Sequence, residues 1–286
     1  MSLIPSVLPT ETKVETKTES KIERVKKRTA EQITHDPKFQ IMSDIHLEHR
    51  TSFPDIVVAG DILCLLGDIG DPKSEVYWMF LKNMSEQFFT ILLLTGNHEY
   101  YGAEIGKTNA FIEHKIDEMK LNNVIFMNNK VFKIGNHVCI GTTLWSRIPP
   151  SAKTEIEGRI NDYRLIKGFT TDISNDLHTK NVKWLETILE KYKNDEKTKV
   201  IVLSHHSPLL KNTSFHLYEN KPTNHAFSSD LSSLMKYVDY WCMGHTHHNH
   251  PKNEWTYGKR TKIASNQMGY SMSLCSNFNP KYCLAI

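Results

Sequence analysis

The chain has 286 residues, of which 39% are hydrophobic and 23% are charged. This length suits one large α/β domain or two small ones, and the composition excludes a membrane channel and a wholly disordered protein. The longest apolar runs, Ile62–Leu66 and Ile91–Leu94, have the length of a strand and are much shorter than a membrane span. Met1–Pro9 lacks the basic and apolar regions of a secretory signal, so we expect a cytoplasmic protein.

The N-terminal segment differs in composition from the rest of the chain. It is rich in Thr, Glu and Lys, which predicts a disordered tail over residues 1–36 and one folded domain over residues 37–286. Residues 11–29 hold seven Lys/Arg and four Glu, which accounts for the whole net charge of +3. The folded part is therefore neutral, and nucleic-acid binding is disfavoured. The basic run Lys26–Arg28 is compatible with a nuclear localisation signal, and a solvated charge cluster is the alternative.

Five short apolar runs each end in a polar turn, a pattern typical of buried strands. They are Phe39–Met42, Ile62–Leu66, Ile91–Leu94, Val200–Leu203 and Tyr240–Met243. Apolar residues recur at helical spacing between these runs, which predicts helices over Ser74–Phe89, Gly106–Lys120 and Asn181–Tyr192. We therefore expect the five polar turns to form one rim of the fold.

Other segments carry the signals of antiparallel hairpins. The predicted hairpins join Val124–Met127, Val131–Ile134 and His137–Leu144 through Asn128-Asn129 and Gly135-Asn136, and join Trp255–Tyr257 to Lys262–Ser265. Strands that alternate with helices in the first half, followed by hairpins, predict an α/β sandwich. In this fold two mixed β-sheets pack face to face and are flanked by helices.

The polar turns contain a series of short motifs. In chain order they are Asp44-x-His46, Gly67-Asp68-x-x-Asp71, Gly96-Asn97-His98-Glu99, Ser204-His205-His206 and Gly244-His245-x-His247. Each motif is weak evidence alone, because Asp and Gly-Asp are common in turns. Together, and in this order, they resemble the signature of the calcineurin-like metallophosphoesterases.

This resemblance implies a β-sandwich fold and a phosphoester hydrolase, in which two divalent cations activate a bridging water for in-line attack on phosphorus. It also implies the ligands: Asp44, His46 and His247 for the first cation, Asp68 as the bridge, and Asn97, His205 and His245 for the second. Such a mixed nitrogen and oxygen set suits Mn²⁺, Fe²⁺ or Zn²⁺.

The resemblance assigns a further catalytic role to His98, as the general acid at the leaving group. We expect Asp71 to orient the His98 ring and to raise its pKa. The alternative is that Asp71 only caps a turn.

Substrate contacts are expected from the long polar loop between Trp145 and Thr171. Its candidates are Arg147, Tyr163 and Arg164, because a guanidinium can bind phosphate in a bidentate way. A salt bridge from Arg164 to a nearby acid is the alternative. His206, beside a predicted ligand, is a fourth candidate.

The expected partner is a small phosphorylated metabolite, a nucleotide or a phosphoprotein, with no membrane involved. The motifs do not distinguish a phosphatase from a phosphodiesterase. A nuclease is disfavoured by the neutral core. A non-catalytic scaffold of the same fold is disfavoured because every ligand position is filled.

Overall fold

The computed structural model describes residues 36–286. The predicted tail, residues 1–36, lies outside the described residues except for its last position. The architecture confirms the predicted class, with two β-sheets packed face to face and helices on the outer faces.

The first sheet contains four parallel strands in the order β1-β2-β3-β4. These strands are β1 (Phe39–Met42), β2 (Ile62–Leu66), β3 (Thr90–Leu94) and β4 (Val124–Phe126). The first three strands are buried along their whole length, which explains why their sequences are almost continuously apolar.

The second sheet contains six strands in the order β5-β6-β7-β8-β10-β9. They are β5 (Lys130–Ile134), β6 (His137–Thr142), β7 (Lys199–Ser204), β8 (Tyr240–Met243), β9 (Glu254–Tyr257) and β10 (Thr261–Ser265). The four central strands are parallel, whereas β5 and β9 pair antiparallel with their neighbours. Two short strands, β11 (Gly269–Tyr270) and β12 (Ser273–Leu274), form a separate antiparallel pair.

Helices cover both sheets. They are α1 (Glu75–Ser85), α2 (Ile105–Glu118), α3 (Lys153–Arg159), α4 (Asp162–Leu165) and α5 (Thr171–Leu189). Short 3-10 turns span Leu47–His49, His98–Tyr100, Pro150–Ala152, Pro222–Ala226 and Ser232–Tyr237. Within residues 36–286, no helix has both the length and the apolar character needed to cross a membrane.

The side chains of β2 show how the layers are built. Leu63 and Leu65 pack outward against α1 and α2, while Cys64 and Leu66 face the second sheet. This alternation follows from the two-residue period of a strand. The apolar cluster between the sheets also includes Ile201, Leu203 and Cys242 of the second sheet.

Three predicted elements differ from the structure. Val124–Phe126 is not part of a hairpin, because it pairs parallel with β3 while Asn128-Asn129 leads the chain into the other sheet. The helix predicted from Asn181 begins ten residues earlier, at Thr171, where the Thr170 side chain accepts a hydrogen bond from the Ile173 backbone N–H. The long loop after Trp145 contains α3 and α4.

Candidate metal centre

Seven side chains converge where β1, β2, β3, β7 and β8 end. Because these strands run parallel within their sheets, their carboxyl ends lie on one rim. The seven are the predicted metal ligands Asp44, His46, Asp68, Asn97, His205, His245 and His247. All are buried except His247, whose side chain is 25% exposed.

The first group of donors contains Asp44, His46 and His247. The Oδ1 atom of Asp44 lies 3.3 Å from His247 Nε2, and the Nε2 atoms of the two histidines lie 3.0 Å apart. Two imidazole nitrogens at this distance need a proton or a metal cation between their lone pairs. The three side chains therefore form a pocket for a cation.

The second group contains Asp68, Asn97, His205 and His245. Its centre is His205 Nε2, which lies 3.2 Å from Asn97 Oδ1, 3.2 Å from His245 Nδ1 and 3.5 Å from Asp68 Oδ1. The other nitrogen of His205, Nδ1, donates to the carbonyl oxygen of Leu66 over 2.8 Å. This hydrogen bond leaves Nε2 free as a ligand.

The carboxylate of Asp68 lies between the two groups. Its Oδ1 atom faces His205 Nε2 at 3.5 Å, and its Oδ2 atom faces His46 Nε2 at 3.9 Å. One carboxylate thus offers one oxygen to each group, the arrangement of a bridging ligand.

The donor set is suited to a pair of divalent cations. Imidazole nitrogens and carboxylate oxygens together favour Zn²⁺, Fe²⁺ or Mn²⁺ over the all-oxygen sites of Ca²⁺. The Nε2 atom of His245 is buried and has no hydrogen-bond partner among the described residues. The ring packs against Phe227, and its Nδ1 atom faces the other donors of the second group. The residues present therefore fit such cations, with three donors in each of two clusters and Asn97 beside the second.

Five of these predicted ligands adopt the left-handed backbone conformation that favours glycine. Their φ angles are 55° for Asp44, 52° for His46, 53° for Asp68, 70° for His245 and 51° for His247. Each such residue costs about 1–3 kcal/mol and persists only where the surrounding structure enforces it. The strain at the ligands indicates that the loops are shaped to direct side chains inward.

Two glycines allow the ligand loops to approach each other. A Cβ atom at Gly96 would lie 2.5 Å from His205 Nε2 and closer still to the Asp68 carboxylate. Gly67 has a φ of +90°, and a Cβ atom there would lie 2.6 Å from His205 Nδ1. Any larger residue at these positions would displace the second donor group.

The buried carboxylate of Glu99 ties the same loops together. It accepts hydrogen bonds from the backbone N–H groups of Ile69 (2.8 Å), Gly96 (2.7 Å) and Asp68 (3.1 Å). Burial and the neighbouring charge of Asp68 raise the pKa of Glu99 to about 8. The Gly-Asn-His-Glu motif contains this residue, although the sequence analysis gave it no role.

The general-acid candidate, His98, is oriented by Glu48 and not by Asp71. His98 Nδ1 lies 2.9 Å from Glu48 Oε1, while Asp71 accepts a hydrogen bond from the backbone N–H of Lys73. Asp71 thus fits the turn-capping alternative. Burial lowers the pKa of His98, but the carboxylates of Asp68 and Glu48 outweigh it and raise the pKa to about 9.

The amide of Asn97 is oriented by Asp162, a residue that the sequence analysis gave no part in the metal site. Asn97 Nδ2 donates to Asp162 Oδ1 over 2.7 Å and to the hydroxyl of Tyr101 over 3.0 Å. The amide oxygen therefore faces His205. Asp162 lies in the long polar loop between Trp145 and Thr171, next to the candidate Tyr163, so its position was the available signal.

A cavity of about 480 Å³ opens beside the two donor groups. Aromatic side chains line much of its wall, among them Tyr101, Tyr218, Phe227 and Tyr270. Arg159, at the end of α3, is the one Lys or Arg among the described lining residues. Its side chain is 72% exposed and lies 3.5 Å from Glu155.

The four predicted substrate-binding residues lie elsewhere in the described part of the chain. Arg147 and Arg164 are exposed outside the cavity lining, and Arg164 donates to the Asn161 side chain. Tyr163 stacks on Phe169. His206 is buried behind the ligands, where burial and the neighbouring His205 lower its pKa to about 3. None of the four is among the residues that line the cavity.

The family that the sequence matches agrees with this geometry. Residues 37–249 match the family described as calcineurin-like phosphoesterase. An uncharacterized protein of Acanthamoeba polyphaga mimivirus is 34% identical over 235 residues, which cover 76% of this chain and 81% of that protein. Among solved structures, a putative 5'-nucleotidase from Staphylococcus aureus in complex with alpha-ketoglutarate is similar with a TM-score of 0.45 and 14% identity. That similarity covers 81% of this chain, which spans about half of the other (48%).

Proposed function

Because the chain belongs to the calcineurin-like phosphoesterase family, we propose that it hydrolyses phosphoesters with a pair of divalent cations. The proposed substrate is a small phosphorylated metabolite or a nucleotide, with a phosphoprotein as the larger alternative. The proposed cations are Mn²⁺, Fe²⁺ or Zn²⁺.

The observation that carries this proposal is the position of the Asp68 carboxylate. Its two oxygens face two separate groups of donors, at 3.5 Å from His205 and 3.9 Å from His46. A single cation site would not need a carboxylate shared in this way. The arrangement supports two cations held side by side.

The bound cations and the side chain of His98 would have separate catalytic functions. Cations bound at the two groups would polarise the phosphoryl group and activate a water. His98 lies at the edge of the cavity, and its Nε2 atom is 3.9 Å from Asp68 Oδ2. A proton on that nitrogen can pass to the leaving-group oxygen, which otherwise departs as an unstable alkoxide.

The dimensions of the cavity favour a small substrate. Its volume of about 480 Å³ lies within the range of about 300–1,000 Å³ that holds small ligands. Its aromatic wall suits a leaving group with an apolar or planar face. Arg159 at this wall can pair with a non-bridging phosphoryl oxygen or a second anionic group.

The test compares the wild type with Asp68→Asn, using Asp117→Asn on the exposed side of α2 as the matched control. Elemental analysis measures bound metal, and turnover is measured on 4-nitrophenyl phosphate and its bis-ester. We expect two metals per wild-type chain, hydrolysis of at least one ester, and loss of both properties in Asp68→Asn alone.

Two results would contradict the proposal. Retention of both metals in Asp68→Asn would refute the bridging assignment. Metal-loaded wild type that hydrolyses neither ester would instead support a non-catalytic scaffold.

A further inference from the structure

Glu48 contacts two histidines with different functions. It lies in the 3-10 turn Leu47–His49, two residues after His46, and its side chain is 20% exposed. One carboxylate oxygen, Oε1, is 3.0 Å from His46 Nδ1 and 2.9 Å from His98 Nδ1. A metal-ligand candidate and the general-acid candidate thus share one oxygen atom.

The chemistry of the contact determines where the ring protons lie. An ionised carboxylate only accepts hydrogen bonds, so each Nδ1 atom must carry the proton and donate it to Glu48. A neutral His46 ring then keeps its lone pair on Nε2 for a cation, whereas His98 as general acid carries a second proton on Nε2. Glu48 therefore directs Nε2 of both rings away from itself.

Both Nε2 atoms point towards the bridging carboxylate. His46 Nε2 and His98 Nε2 each lie 3.9 Å from Asp68 Oδ2. The two rings themselves meet edge to face, with centroids 4.5 Å apart. Rotation of either ring would break its bond to Glu48 and remove its Nε2 atom from the centre.

The surroundings of Glu48 leave it available for this function. Its other oxygen, Oε2, is buried and makes no hydrogen bond within residues 36–286. The nearby guanidinium of Arg50 donates instead to the carbonyl oxygens of Ile45 and Gly269. Arg50 thus interacts with Glu48 through charge alone and leaves both carboxylate oxygens free of its hydrogen bonds.

We propose that Glu48 is a positioning residue that sets the tautomer and orientation of His46 and His98 together, so that one carboxylate prepares both metal binding and leaving-group protonation. The second part of this inference rests on the proposed function. The first part concerns the chain and its metal alone.

The experiment uses two variants of different severity. Glu48→Ala removes the acceptor, whereas Glu48→Gln keeps an amide oxygen that can accept both N–H groups. Glu118→Gln, which alters an exposed glutamate on α2, is the control. All four full-length proteins are compared by their thermal unfolding before any other measurement.

The first readout is the tautomer of each ring, from nitrogen-15 spectra of histidine-labelled protein in a chelator. Wild type and Glu48→Gln should carry a proton on Nδ1 of both rings, with His98 also protonated on Nε2. In Glu48→Ala both rings should lose Nδ1 protonation and shift towards the Nε2–H form. Unchanged tautomers in Glu48→Ala would overturn the proposal whether or not the protein is a hydrolase.

The second readout is metal affinity by titration with Mn²⁺ or Zn²⁺. Loss of such a supporting hydrogen bond typically costs about 10–100-fold in affinity, so we expect a loss of this size in Glu48→Ala. Glu48→Gln should stay within a few-fold of wild type. Equal losses in both variants would show that charge, and not orientation, is what Glu48 supplies.

The third readout separates the two histidines, with kcat measured at saturating metal. Through His98, Glu48→Ala should lower kcat on phenyl phosphate by about 10²-fold or more and affect 4-nitrophenyl phosphate much less, because nitrophenolate leaves without a proton. Equal losses on both substrates would refute the role at His98. If wild type hydrolyses neither substrate, the proposed function fails while the first two readouts still decide the role at His46.

Discussion

The side-chain amide of Asn97 donates a hydrogen bond to Asp162 Oδ1 over 2.7 Å, and this contact turns the amide oxygen towards His205. Tyr101 completes the arrangement, since its hydroxyl donates to the same Asp162 oxygen over 2.7 Å. A carboxamide can present either its oxygen or its nitrogen to a site. Asp162 selects the oxygen, which is the atom that can bind a cation.

Replacement of Asp162 should therefore weaken the second donor group. In Asp162→Ala the Asn97 amide is free to rotate. We therefore expect the affinity for the metal at the second donor group to fall by about 10–100-fold. Asp162→Asn is the matched control because it keeps an oxygen acceptor, and it should lose less. Calorimetric titration with Mn²⁺ measures both, and equal affinity in Asp162→Ala and wild type would contradict this role.

Substitution of Gly96 should disrupt the centre by steric conflict. The added Cβ atom in Gly96→Ala would lie 2.5 Å from His205 Nε2, so the ligand loops must move apart. We expect a loss of about 1–3 kcal/mol in the free energy of unfolding, together with weaker metal binding. Chemical denaturation and elemental analysis are the measurements.

The control for Gly96→Ala is Gly106→Ala in α2, where nothing lies within 4 Å of the added Cβ atom. It should gain about 0.4–1 kcal/mol because alanine has less freedom in the unfolded chain. If Gly96→Ala kept its metals and its stability, the close approach of the loops would not be essential.

Two of the three arginines of the long loop, Arg159 and Arg164, should differ in their effect on substrate binding. Arg159 lines the cavity, whereas Arg164 is not a lining residue and pairs with Asn161, which is one. We expect Arg159→Ala to raise KM by about tenfold, which corresponds to about 1.4 kcal/mol, with its metal content unchanged. Steady-state kinetics on an aryl phosphate should show near wild-type values for Arg164→Ala. The reverse order would restore the assignment made from the sequence.

His178 should make stability depend on pH. This buried ring contacts the carbonyl oxygen of Trp145 over 2.8 Å, and burial lowers its pKa below the usual 6.5. The unfolded chain therefore binds a proton more readily, and stability is lost as the pH falls below about 6.5. Above that pH this contribution is complete.

His178→Gln removes this titration while glutamine can still donate to Trp145. Its Tm should fall less than that of wild type between pH 7.5 and pH 5, as measured by thermal unfolding. His114→Gln, on the exposed side of α2, retains His178 and should keep the wild-type loss. Parallel Tm curves for all three proteins would argue against a buried neutral His178.

The sequence predicts the site as far as local patterns determine it. The strands before the ligands are continuous apolar runs, and parallel strands bring their carboxyl ends to one rim, so the convergence of Asp44, Asp68 and Asn97 is accessible to pattern analysis. The turn pair Gly135-Asn136 likewise predicts the β5–β6 hairpin that the structure contains.

Other features depend on three-dimensional placement. Asn128-Asn129 marks a turn, but a turn signal does not determine whether its flanking strands pair with each other or join two sheets. Glu48 lies two residues after the Asp44-x-His46 motif, and Asp71 ends the next motif. Only the left-handed turn at His46 and the packing of His98 decide which acid reaches the His98 ring. Arg159 and Arg164 lie five positions apart in the chain, and the ends of α3 and α4 decide which of them faces the cavity.

The two donor groups each draw side chains from both sheets. Asp44 and His46 follow β1 of the first sheet, whereas their companion His247 follows β8 of the second, and the other group is divided in the same way. The apolar layer between the sheets carries no covalent link, since its cysteines are free thiols. A cation bound in either group would thus act as a cross-link between the two sheets at one rim of the fold.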